Sequence, residues 1–190
     1  MKHQLLMLTV ALSCTFAGST MAMTKVEYKT EKDRISGDYK VAKDKCSGLK
    51  ANAKDICVSE AKGVDKVAKA ELEAKYEPSS KHTQKVSMVK ADTAYATAKE
   101  KCDDLSGNAK DVCVKDAKVV HTKAKDDAKI AKVSLDTSNT KSEKMTDVKK
   151  EANAEERQAM YKAANERCDS LAGVPKDNCQ NDAKVKYGMK

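Results

Sequence analysis

Six cysteines fall into three pairs of equal spacing, Cys46 with Cys57, Cys102 with Cys113 and Cys168 with Cys179. Thiols at a fixed interval can bond to one another, hold a metal or shuttle electrons. A zinc site takes four Cys or His ligands, commonly in close couples. Each pair here stands alone with no histidine between its members, so metal ligation is a poor fit. The Cys-x-x-Cys motif of thiol redox proteins and the Cys-x-x-Cys-His motif of haem attachment are both absent. Disulfide formation is the remaining chemistry, and an even set of regularly spaced cysteines in an exported chain is its usual signature.

The seventh cysteine, Cys14, lies in a different setting. The chain opens with MKHQ, continues as LLMLTVALSCTFAG and ends this stretch with STMA. A basic start, an apolar run and small residues at Thr20 and Ala22 predict a secretory signal peptide over 1–22. A transmembrane span needs about 20 apolar residues, more than this run supplies. A lipid-modified Cys14 is the lesser alternative, because Ala11-Leu12-Ser13 lacks a leucine three positions before the cysteine. The expected compartment is periplasmic.

Other residues that could do chemistry are sparse. His82 falls in a predicted break and His121 on a predicted helix, and both are expected to be solvated. The chain has no Gly-rich phosphate loop, no Gly-x-Ser-x-Gly and no His-Glu-x-x-His. The acids Asp44, Glu100, Glu166, Glu60, Asp116 and Asp182 recur among lysines at helical spacing, the pattern of surface ion pairs. Methionines outside the leader are scattered and suggest no copper site. No catalytic residue, no cofactor and no metal ligand is assigned, and the chain is read as a non-enzyme.

The elements that must position the cysteines come from an internal repeat, DYKVAKDKCSGLKANAKDICVSEAKG (38–63), AYATAKEKCDDLSGNAKDVCVKDAKV (94–119) and MYKAANERCDSLAGVPKDNCQNDAKV (160–185). Such dense self-similarity marks a repeated structural unit. Tyr39, Tyr95 and Tyr161 lie seven before the first cysteine, Ala42, Ala98 and Ala164 four before, and Leu49, Leu105 and Leu171 three after. These spacings place them on one helical stripe. Each unit therefore reads as a helix ending near the leucine, a turn and a second helix. Asn52 and Asn108 are the expected N-caps, with Asp55 and Asp111 three residues on. In the third unit Val174-Pro175 takes that place, proline suiting the first helical position.

Six cysteines permit fifteen pairings, and the repeat selects Cys46–Cys57, Cys102–Cys113 and Cys168–Cys179. Antiparallel helices lie about 8–10 Å apart, whereas a disulfide needs Cα atoms within about 7 Å. Alanines one turn away, among them Ala61, Ala117 and Ala183, let the backbones close, and Gly48, Gly107 and Gly173 ease the reversal. The expected fold is all-α: three tandem disulfide-stapled helical hairpins with long helices, elongated or loosely bundled, over 23–77, 78–137 and 138–190. YEPSSKHT (76–83) and DTSNTKSE (136–143) are the expected breaks.

The whole chain carries a net charge of +8 and a single Phe, no Trp and six Tyr. Its alanine, lysine and glutamate content is the signature of long helices, and its shortage of large aromatics argues against a rounded core. Lysine runs could attract anionic polymers such as nucleic acid, polysaccharide or lipopolysaccharide. Interleaved acids and the lack of stacking aromatics favour a solvated helix surface instead.

The units YKVAKDKCSGLKANAKDIC and YATAKEKCDDLSGNAKDVC resemble repeats of exported, Ala/Lys-rich proteins of Gram-negative bacteria that are labelled loosely as TolA-like or cell-envelope proteins. The resemblance spans most of 38–185. It implies a periplasmic home and a role in envelope integrity or stress, and it supplies no substrate or active-site residue. The expected role is a structural spacer or interaction scaffold for an envelope protein. The alternative is a cationic module for anionic polymers or a metal-sequestering stress protein.

Overall fold

A computed structural model describes residues 23–189, so the expected signal peptide and Cys14 lie outside the described residues. Six α-helices follow one another: α1 (Lys25–Lys45), α2 (Ala51–Tyr76), α3 (Ser80–Cys102), α4 (Gly107–Ser134), α5 (Lys141–Cys168) and α6 (Gly173–Tyr187). The described residues contain no strand. Helix α1 starts in a capping box: the Thr24 hydroxyl accepts from the Glu27 amide, and the Glu27 carboxylate accepts from the Thr24 amide. Ser79 caps α3 by accepting from the His82 amide at 3.1 Å. Pro78 stands in the short break before it, and residues 135–140 separate α4 from α5.

The three reversals share a left-handed turn residue, and Gly107 and Gly173 ease the second and third as expected, but the expected caps are not formed. Asn52 and Asn108 do not cap α2 and α4, which begin one residue earlier without a side-chain cap. The residue five positions after the first cysteine turns the chain by adopting a left-handed backbone: Ala51 at φ 49°, Gly107 at 56° and Gly173 at 59°. Gly48, expected to ease the first reversal, sits in a single 3₁₀ turn over Cys46–Gly48 instead. Pro175 is the third residue of α6 rather than the first, still within the turn whose amides lack helical partners. The leucines leave the helical stripe. Leu49, Leu105 and Leu171 each donate an amide to the carbonyl of the first cysteine and are partly exposed in the turn.

Among the described residues each helix packs only on the helix before it and the helix after it in sequence. The hairpins α1–α2, α3–α4 and α5–α6 are joined through α2–α3 and α4–α5 contacts, which gives an open ribbon rather than a closed bundle. Its interior is narrow. Ala61, Ala70, Ala91, Ala128, Ala152, Ala163 and Ala183 are buried, with Ile35 and Leu72 as the only large aliphatic side chains among them. Alanine contributes little apolar area per residue, but it lets helices approach closely.

Candidate functional site

All three cysteine pairs are bonded as the repeat predicts, each with a Cα separation of 5.7 Å. That distance is shorter than ordinary helix contact and within disulfide reach. The first cysteine of each pair is fully buried and the second partly so. The bridges close the ribbon at every hairpin turn. Disulfides of this kind form and persist in oxidising compartments.

The asparagines fasten one hairpin to the next. Asn52 Nδ2 donates to the Glu100 carbonyl at 2.7 Å and to the Asp104 carboxylate at 2.8 Å. Asn108 Nδ2 donates to the Glu166 carbonyl at 2.8 Å. Each thereby adds a second donor to a carbonyl near the C-terminal end of the following hairpin's first helix, which also accepts from the amide of Asp103 or Asp169 at 3.1 Å. In the third hairpin Val174 holds the equivalent position, and it is exposed. The repeated acids also reach across junctions. Glu60 pairs with Lys101 at 3.0 Å, Asp116 with Arg167 at 2.5 Å, and Glu166 with Lys115 at 3.4 Å.

His121, expected to be solvated, is 8% exposed. Its ring stacks on Tyr95 with centroids 4.6 Å apart, and Nε2 lies 2.6 Å from an Asp92 carboxylate oxygen. Lys118 Nζ lies 3.3 Å from Nδ1 and 5.3 Å from the Tyr95 ring centre. A histidine oriented by a carboxylate is half of a general-base arrangement. The second ring nitrogen faces Lys118, and the group ties α3 to α4. His82 is also half-buried, its Nδ1 2.5 Å from the Glu77 carbonyl, where it closes the α2–α3 break.

One buried charge was not legible from residue type. Asp126 on α4 is fully buried, and neither of its carboxylate oxygens has a hydrogen bond of good geometry. Lys129 Nζ stands 3.0 Å away and is itself drawn to Glu155 on α5 at 2.9 Å, with Glu151 3.7 Å distant. Burial pushes the Asp126 carboxyl above its ordinary value, with Glu155 adding to the rise. The bond from Lys129 holds Glu155 below its own. At the α2–α3 junction the equivalent residues are Ala70 and Val89, an apolar couple. The repeat alignment could have exposed this substitution, because an acid stands where the other copy has a buried alanine.

A shallow trough of about 770 Å³ runs between α2 and α3 on one side of the ribbon. Gly63, Val64, Val67, Ala68, Ala94 and Ala98 are among the residues that line it. Glu60–Lys101 spans one end and Glu71–Lys90, at 2.6 Å, the other. A Cβ built on Gly63 would come 3.3 Å from the Thr93 Cβ, so the glycine permits close approach of the two helices.

No group of three or more His, Cys, Asp or Glu among the described residues is placed to hold a metal ion. No described helix is long and apolar enough to cross a membrane. No family model, no curated protein and no solved structure matches the chain.

Proposed function

We propose that this chain is a non-enzymatic periplasmic envelope protein that acts as a spacer or interaction scaffold. The observation that carries the reading is the neighbour-only packing of the helices, which leaves both sides of the ribbon open along its length. Repeat proteins of this construction use their extended surfaces for binding. The three disulfides suit an oxidising space, and the leader read from residues 1–22 supplies the route to it. The polar groups at the helix junctions, Asn52, Asn108 and His121 among them, serve helix-to-helix attachment.

The test is capture of an envelope partner from periplasmic extract by the disulfide-intact protein, with reduced and alkylated protein as control. The scaffold reading expects a defined partner that is retained by the oxidised form and lost from the reduced one. Equal capture by both forms would overturn it. Salt-sensitive retention on heparin with no protein partner would transfer the assignment to a polyanion module.

A further inference from the structure

The trough between α2 and α3 differs from its counterpart between α4 and α5. Where the first junction has Val67 and Ala94, the second has Lys123 and Met160. Lys123 thus puts an exposed charge in the second, while the first keeps Val67 there; the exposed Val64 of the first has an equally exposed counterpart in Val120. Solvent alone would be better met by the lysine, as it is at the second junction.

The charges along the walls indicate what covers it. Both acids, Glu60 and Glu71, stand on the α2 wall, and both bases, Lys101 and Lys90, on the α3 wall. Each of the four side chains is at least half exposed, so each can accept another partner. The two ion pairs are eleven residues apart along α2, about 16 Å at helical rise. A second copy turned about a two-fold axis along the trough lays its α2 over the first copy's α3. Acid then meets base at both ends, and valine meets alanine between them. A two-fold axis across the trough would lay acid on acid instead.

We propose that this trough is a self-docking surface through which two copies of the chain associate, forming an isologous four-helix contact of α2 and α3 from each. The proposal rests on the scaffold reading only in requiring that side of the ribbon to be free.

The experiment is light scattering and sedimentation of the oxidised protein across a wide concentration range. Twice the chain mass is expected at the upper end. Val64→Lys should weaken association about tenfold or more, as loss of a central apolar contact does, with helix content unchanged. Val41→Lys, exposed on α1 away from the trough, should leave it unaltered. The double variant Glu71→Lys with Lys90→Glu reverses one end while keeping the pair within each chain. It should associate with itself and poorly with the parent protein. A single-chain mass at every concentration would overturn the proposal, as would dimers indifferent to Val64→Lys. Free mixing of the reversed variant with the parent would overturn the two-fold arrangement. A monomer that still captures an envelope partner ends self-docking alone, whereas a dimer that captures none ends the scaffold reading alone.

Discussion

Ala51 holds a backbone conformation that its side chain resists. The left-handed region costs a non-glycine residue about 1–2 kcal/mol, and the two equivalent positions are Gly107 and Gly173. Ala51→Gly should therefore raise stability by about 1 kcal/mol, read as a shift in urea midpoint with unchanged slope. Gly107→Ala should lower it by a similar amount, since only the backbone angle opposes a methyl group there. Asp126 allows a second test. Its folded-state carboxyl titrates above the unfolded value, so its contribution to stability is greatest in acid and falls as pH rises through the folded value. At neutral pH the buried charge is a liability. Asp126→Asn should stabilise the protein by about 1–2 kcal/mol at pH 7, and the gain should shrink as pH falls toward the acid range. A gain independent of pH would refute this. Glu155, Glu73 and Glu31 are displaced the other way and oppose the trend in the parent protein, which is why the difference between variant and parent is the quantity to measure. Neither Ala51 nor Asp126 stood out as a residue type; each becomes visible only against its counterparts in the other copies.

The helices and the cysteine pairing were legible in the sequence because three copies repeat one stripe, and a pattern repeated three times outweighs local ambiguity. The asparagines misled because the residue that suits an N-cap also suits a carbonyl on a neighbouring helix, and sequence offers no sight of that neighbour. His121 misled for the same reason: Asp92 and Tyr95 reach it from α3. Asn52→Ala and Asn108→Ala should each cost about 1 kcal/mol, the net worth of a buried hydrogen bond. Val174→Asn, exposed and with no further described helix beside it, should cost nothing measurable. Thermal or urea unfolding of the three variants checks this directly. The junctions also carry opposite charge. Glu73 on α2 meets Lys85 on α3, while at the equivalent positions Lys129 on α4 meets Glu151 on α5. Docking α2 on α5 would bring Glu73 to Glu151, so the reversal disfavours the wrong order of hairpins.

At the scale of the whole chain, alanine contacts leave the ribbon dependent on its covalent links. Each bridge is worth on the order of 2–3 kcal/mol in a loop this short. Reduction of all three should bring unfolding to much lower temperature, measured by circular dichroism with and without reductant. The ribbon should also scatter as an extended body. A compact chain of this length has a radius of gyration of about 16 Å, and the Val64→Lys variant in dilute solution should exceed that.

Among the described residues every covalent bridge joins a cysteine to the next one along the chain, and every junction joins neighbours in sequence. A polypeptide threading outward from its amino end would present Cys46 and Cys57 before Cys102 has emerged. An oxidant that couples thiols in order of appearance therefore makes the native set at the first attempt, leaving nothing to reshuffle. Cells lacking a disulfide isomerase should yield as much correctly bonded protein as cells that have one.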